Sequence, residues 1–389
     1  MKQILILGAG YAGLRAALDI EQAVRDRADL ARVTLVDQHS YHQIVQILHL
    51  TATAAIHTRE ATIELARLLH TKAVELVQGR VSALNTLQRQ VQLADGRTLS
   101  YDYLVLALGG ETDYAGVPGA AEHSLPLRSF PESLALRDHI EDRFREAAKA
   151  TDPTERRILM TTAIVGGGYT GCQLAGELAV WVGLLSQEVG APAGEARIAL
   201  LDRSKYLLKQ FGDWANREAV QVLDRAGVSV YLESGVERVE PRKLVLSGQR
   251  IIRAATIVWT GGIRAPSLIA AAGLPTDARG RAQVDRYLRV AGSGTIFALG
   301  DCAAIPDGEG GLVPATGSYA MRQGSHLAES IINELEGRAP QPYEPLRLGE
   351  LVSLGPNTGV GNPLGVPTFG LPVILLKKGV EAYYKATLE

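Results

Sequence analysis

The chain has 389 residues, 46% of them apolar, which is enough for two or three domains with sizeable cores. A formal net charge of −2 excludes a nucleic-acid binder held by bulk charge. Two cysteines, Cys172 and Cys302, exclude a disulfide framework and suit a reducing compartment. No uninterrupted apolar run approaches the roughly 20 residues of a spanning helix. The apolar start is short, breaks on glycines and lacks a cleavage site, so it does not read as a secretory signal.

Ile4–Leu7 is a continuous apolar run, as in a strand buried on both faces. Gly8, Gly10 and Gly13 follow as G-x-G-x-x-G, and Leu14–Leu18 reads as a helix. In this motif the first glycine allows the tight turn, the second lets a pyrophosphate approach the backbone, and the third lets helix and strand pack closely. The helix N-terminus offers free N–H groups to the phosphates. The next strand, Arg32–Val36, ends in Asp37, 24 residues beyond Gly13, where an acid reaches a ribose hydroxyl. His39 and His42 follow and read chiefly as solvated loop histidines, with a place near the bound ligand as the alternative. The eight histidines show no metal-ligand spacing, so no metal site is expected.

Glu75–Val81 and Arg89–Leu93 read as strands, with a turn at Ala94–Arg97. Tyr103–Leu108 is a strand ending at Gly109-Gly110, a pair suited to close passage past a ligand. Glu111–Pro126 reads as a loop, Glu132–Ala148 as a helix, and Thr151–Thr154 as a break and domain entry. Then the opening pattern recurs. Arg157–Val165 reads as a strand, Gly166, Gly168 and Gly171 repeat the fingerprint, and Cys172–Ala179 reads as a helix. Arg197–Leu201 ends in Asp202, 31 residues beyond Gly171, the excess lying in the Gly190–Gly194 loop. Two such motifs in full context are far more specific than one.

Thr256–Trp259 is a strand ending at Thr260-Gly261-Gly262. Thr295–Asp301 places Gly300-Asp301 at a strand's carboxyl end, where α/β folds bind ligands. Thr316 is the expected N-cap of a helix running to about Leu335. A Gly- and Pro-rich stretch leads from Pro340 to Leu371. In the last segment Val373, Leu376, Val380, Tyr383 and Tyr384 fall on one helical face, with Lys377, Lys378, Glu381 and Lys385 elsewhere. That amphipathic helix suits a membrane surface, or docking on its own protein or a dimer partner.

Two dinucleotide fingerprints and the late Phe297–Ala303 segment resemble the flavin-dependent pyridine nucleotide oxidoreductases over about residues 1–335. Within them the chain is most similar to the type II NADH dehydrogenases, through Gly166–Leu178, Ile257–Ala265 and Pro314–Gly324. The resemblance implies an α/β fold of two Rossmann-like dinucleotide-binding domains. Residues 1–150 and 276–338 would form the FAD domain, 151–275 the inserted NAD(P)H domain, and 339–389 a small C-terminal acceptor, interface or membrane-associated segment. Carried over, Gly8, Gly10, Gly13, Asp37, Val81, Gly109, Gly300, Asp301 and Thr316 would bind FAD. Gly166, Gly168, Gly171, Asp202 and Gly262 would bind the nicotinamide dinucleotide.

The resemblance places Gln173, Thr316 and Gln323 near the reacting groups, with a quinone entering between Pro314–Gln323 and the C-terminal segment. The family usually carries Glu where Gln173 stands, and an Ala-Gln pair where Gly317 and Ser318 stand. The cofactors implied are FAD and NADH, with NADH preferred over NADPH because Asp202 repels a 2′-phosphate, although Arg203 is adjacent. The implied activity is hydride transfer from NADH to FAD and two electrons onward to quinone, without a redox disulfide or proton pumping. The flavin-side cysteine pair of disulfide reductases and sulfide:quinone oxidoreductases is missing; both cysteines read as small buried residues. The alternatives are a soluble NAD(P)H oxidoreductase using a protein acceptor or dioxygen, and an NADH-binding redox sensor. A cytoplasmic homodimer, peripheral on the inner face of the cell membrane and without nucleic acid, completes the expectation.

Overall fold

The computed structural model describes every residue except Ala28, Ala193 and Glu389. Its frame is two parallel five-stranded sheets built to one plan. The first runs Ile296–Ala298, Tyr103–Leu106, Lys2–Leu7, Ala31–Asp37, Val74–Gln78 from edge to edge. The second runs Leu125–Pro126, Thr256–Trp259, Thr161–Val165, Arg197–Leu201, Val228–Tyr231. In both, the strand leading into the glycine motif is central and the strand ending in the acid lies beside it. The register pairs Leu7 with Val36 and Val165 with Leu201, so each glycine turn opens next to its acid. Ile4 to Leu7 are at most 2% exposed, which accounts for the unbroken apolar run.

Each sheet carries a three-stranded antiparallel excursion, Val81–Asn85 with Gln90–Leu93 and Thr98–Ser100 in the first, and Val236–Glu240 with Lys243–Leu246 and Ile251–Arg253 in the second. The strand expected over Glu75–Val81 is therefore two: Val74–Gln78 in the sheet, and a separate strand starting at Val81, which pairs with Leu93.

The chain passes to the second sheet earlier than residue 151. Leu125–Pro126, expected in a loop, pairs with Val258-Trp259 as its edge strand. The expected strand Arg157–Val165 is also shorter. Pro153–Leu159 is a helix, started by the Asp152 carboxylate accepting from Thr154 N at 2.9 Å, with Pro153 in its first turn. Only Thr161–Val165 is strand. The helices Phe130–Lys149 and Tyr169–Val189 outrun their expected spans.

After the helix Gly317–Leu335, the C-terminal segment forms an antiparallel meander, Leu351–Ser353, Gly359–Gly361 and Thr368–Phe369, and then the helix Leu371–Ala386. Trp214 of the second unit meets Phe369 edge-on at 5.2 Å. Tyr384 stacks on Tyr11 of the first glycine motif at 4.6 Å. The segment thus touches both motif-bearing units. Among the described residues, no helix is long and apolar enough to cross a membrane.

Candidate dinucleotide sites and acceptor pocket

The two fingerprints fold into matching cradles. Gly8 has φ +103°, and a Cβ there would lie 2.3 Å from Ala107 O; a Cβ on Gly13 would lie 1.9 Å from Gly8 O. Gly166 has φ +116° with Thr260 O at 2.7 Å, and Gly171 would meet Gly166 O at 1.9 Å. No L-side chain fits these four positions. The middle glycines differ: a Cβ on Gly10 or Gly168 meets nothing within 4 Å. Each is the N-cap of its helix and supplies no side-chain cap, so first-turn N–H groups face open space. Such a cradle fits a pyrophosphate.

Asp37 Oδ2 accepts Ala9 N and Asp202 Oδ2 accepts Gly167 N, both at 2.6 Å. Their second oxygens accept His39 N at 2.8 Å and Ser204 N at 2.7 Å. Both acids therefore brace their glycine loop, and a carboxylate has lone pairs to spare for a further donor. Gly79 N donates to Asp37 O at 2.8 Å and holds the turn before Val81 at this sheet end.

Gly109 follows the strand Tyr103–Leu106 with φ +67°, open space at its Cβ position. Gly262 has φ +156° and sits at the corresponding end of the second sheet. Gly300 has φ +65°, and its N–H donates to Gln323 Oε1 at 2.8 Å. Gln323, expected at the reacting groups, is 2% exposed and holds the Gly-Asp turn. Asp301, next in the chain, is paired with Arg128, whose Nε also approaches Gly110 O at 3.4 Å. Thr316 occupies the N-cap position of Gly317–Leu335, but its hydroxyl makes no cap; Oγ1 is buried without a partner. A buried, unspent hydroxyl beside free helix N–H groups suits a polar edge of a bound ring.

Gln173 lies in a buried polar cluster. Its Nε2 donates to Ser353 Oγ at 3.2 Å, and Lys377 Nζ donates to the same oxygen at 2.9 Å. His49 Nε2 stands 3.5 Å from it. Burial lowers Lys377 to about 8 and raises Glu177, each opposed by the other's charge. Burial and Lys377 hold His49 well below its usual value. The cluster joins the second-motif helix to the C-terminal meander and helix.

His42 is fully buried, contrary to the solvated-loop expectation. Its Nδ1–H donates to Ala9 O at 2.8 Å and its Nε2 accepts from Tyr384 OH at 2.8 Å. Burial lowers it to about 4, so the ring is neutral. A hydrogen-bonded chain therefore runs from the last helix into the first glycine loop. The buried face of that helix is Val373, Ile374 and Tyr384. The expected apolar face is split: Leu376, Val380 and Tyr383 point outward, with Leu371 and Leu375, at 45–67% exposure.

Burial raises both thiols, Cys302 to about 12, and each contacts a backbone carbonyl. Neither resembles a reactive thiolate. A cavity of about 260 Å³ opens beside Val313 and Pro314, against the C-terminal segment. Arg128 and the cavity acid Glu350 carry no signal in the sequence, and His42, Tyr384 and Lys377, read there as loop and amphipathic-helix residues, meet their partners only in the fold. None lies in a motif; each reaches its place only through the tertiary fold.

The model of the pyridine nucleotide-disulphide oxidoreductase family matches residues 2–324. A type II NADH:quinone oxidoreductase of Staphylococcus epidermidis is 29% identical over 391 aligned positions, covering 99% of this chain and 96% of that protein. The Staphylococcus aureus protein of the same name is 28% identical, covering 98% and 94%. Among solved structures, the Plasmodium falciparum NDH2 in complex with NADH superposes with a TM-score of 0.87 at 16% identity, covering 98% of this chain and 94% of that one. With both fingerprints folded as dinucleotide cradles and the family model spanning both, the chain belongs to the pyridine nucleotide-disulphide oxidoreductase family.

Proposed function

We propose that the chain is an FAD-dependent NADH:quinone oxidoreductase, with FAD in the first cradle and NADH in the second. The observation that carries this is the duplicated cradle, Gly8–Gly13 with Asp37 and Gly166–Gly171 with Asp202, closed by a C-terminal segment that reaches both. The full-length similarity to proteins named NADH:quinone oxidoreductases supports it. In this reading the first sheet, from both sides of the insertion, makes the FAD domain; the second makes the NADH domain; and residues after 338 make the acceptor side.

FAD, once bound, supplies the hydride acceptor and the relay of two electrons. The protein supplies orientation. The Gly8–Gly13 loop and its helix hold the FAD pyrophosphate, Arg128 and Asp301 hold the ribityl side, and Thr316 with the N-terminus of its helix meets the ring edge where negative charge develops. Gln323 keeps the Gly300 turn in register for that contact. The Gly166–Gly171 loop and Asp202 hold NADH, and the Asp202 charge disfavours a 2′-phosphate. The quinone ring takes the 260 Å³ cavity beside Pro314. The exposed apolar face of Leu371–Ala386 lies on the membrane surface from which a quinone would come. The competing occupant of this face is the second copy in the homodimer implied by the sequence resemblance.

The test is spectroscopic. The purified protein is expected to be yellow, to bleach on anaerobic NADH, and to recover its colour rapidly on a menaquinone or ubiquinone analogue. Bleaching without recovery would exclude quinone as acceptor and favour a soluble acceptor or a sensor. A colourless protein that takes up no FAD would overturn the reading from its first motif.

A further inference from the structure

Reduction of a quinone to a quinol takes two electrons and two protons. NADH delivers both electrons and one proton as hydride; the second proton comes from the medium, so that NADH + H⁺ + quinone gives NAD⁺ + quinol. Within the protein that second proton needs a donor. Gln173 carries no titratable proton and is bonded to Ser353. Gln323 is tied to Gly300. Lys377 faces Ser353, Glu177 and Glu381, and does not line the acceptor cavity.

Glu350 does line it. The cavity is walled by Pro314 and Tyr319 on one side and by Gln210, Arg347, Glu350 and Asn362 on the others. Its 260 Å³ falls below the ~300–1,000 Å³ of pockets that enclose whole ligands, and suits a head group whose tail stays outside. The backbone of Glu350 is clamped by one residue: its N–H donates to Asn362 Oδ1 at 2.9 Å and its carbonyl accepts Asn362 N at 3.0 Å. The backbone is thereby fixed where Glu350 joins the cavity wall. Its Oε1 is buried and has no hydrogen-bond partner. The other charged groups around the cavity are already engaged. Arg347 pairs with Glu309 at 2.7 Å and lies 3.6 Å from Asp307, and Asp307 accepts Glu309 N and Gly311 N. Tyr319 lies under the Arg322 guanidinium.

We infer that Glu350 is the acid that hands the second proton to a quinone oxygen in this cavity, and that solvent then reprotonates it. The inference rests on the quinone reading above. Burial alone raises its carboxyl to about 7, so it both holds and releases a proton near neutrality.

The test compares wild type, Glu350→Gln and Glu350→Asp with two acceptors: a water-soluble menaquinone analogue, and ferricyanide, which takes electrons without protons. Glu350→Gln is expected to lower kcat with quinone roughly 100-fold while leaving KM for quinone and the ferricyanide rate near wild type. The wild-type kcat with quinone should fall as pH rises through about 7, and Glu350→Gln should lack that limb. Glu350→Asp should recover part of the rate together with the limb. A protonated-carboxyl infrared band at about pH 6 should disappear in Glu350→Gln. Wild-type kcat and an intact alkaline limb in Glu350→Gln would overturn the inference and leave the quinone reading standing. Wild type that reduces ferricyanide but no quinone would overturn both.

Discussion

Asp202 illustrates how much one carboxylate does here. It braces the second glycine loop through Gly167 and shapes the turn to Ser204, so its loss affects the loop itself besides the cofactor preference proposed for it. Asp202→Asn should keep the Ser204 turn and remove the charge. We expect the ratio of kcat/KM for NADH over NADPH to fall by about tenfold, corresponding to about 1.4 kcal/mol; an unchanged ratio would assign the preference elsewhere. His42 and Tyr384 carry a second prediction. Tyr384→Phe leaves the buried Nε2 of His42 unpaired and should cost roughly 1–3 kcal/mol in urea unfolding. The pH dependence has a definite sign. Unfolded, His42 takes up a proton near 6.5; folded, only near 4. Between those values the unfolded chain binds more protons, so stability rises with pH across the window. Acidification from about 6.5 to 4 should remove on the order of 3 kcal/mol, and His42→Phe should flatten that slope.

Among the elements, the second-motif helix Tyr169–Val189 depends on one close approach. A Cβ on Gly176 would lie 2.3 Å from the Leu354 carbonyl carbon and 2.5 Å from Gly355 N, both backbone atoms that cannot swing aside. Gly176→Ala should cost about 1–3 kcal/mol and push the C-terminal meander outward. A lowered Tm with new proteolytic cleavage after residue 340 is the expected outcome; an unchanged digest would mean that the helix, not the meander, gives way. The sequence carried the helix but not this contact, because Gly176 sits inside an ordinary helical pattern and its partner lies 178 residues later. By contrast Gly8, Gly13, Gly166 and Gly171 were legible, since their constraint is local and repeats. The helix Pro153–Leu159 has a local start signal in Asp152 and Pro153, but the apolar run after them carries the stronger pattern of a strand. Leu371–Ala386 misled in another way. It is apolar on two faces, so periodicity could not tell the packed face from the open one.

At the scale of the whole molecule, those two faces give the C-terminal helix two tasks. One face is anchored: Tyr384 on Tyr11 and His42, Lys377 on Ser353, and Arg15 Nη1 on Thr387 O at 2.9 Å. The other presents Leu371, Leu375, Leu376, Val380 and Tyr383 to solvent, with the exposed Leu364, Val366 and Phe369 in the segment leading to it. A shallow apolar groove runs along the helix between Pro372 and Tyr383. Because the anchored face holds the helix against the first glycine loop, anything that seats the open face also fixes the distance from that surface to the first cradle. A lipid surface would use this best, since a quinone dissolved there would reach the protein on its docked side. The two candidate occupants separate by experiment. Leu375→Glu with Val380→Glu should leave the Tm, the bound FAD and the ferricyanide rate unchanged, since neither side chain touches the core. Flotation with vesicles of bacterial polar lipid should fall from mostly bound to mostly free, because each change replaces an apolar side chain that enters the acyl boundary with a charge that anionic lipid repels. Turnover with a long-tailed quinone in those vesicles should fall with it, while turnover with a short, soluble analogue should not. If the double variant instead floats as before but sediments at half the mass of the wild type, the face joins two copies of the chain, and the membrane contact lies elsewhere.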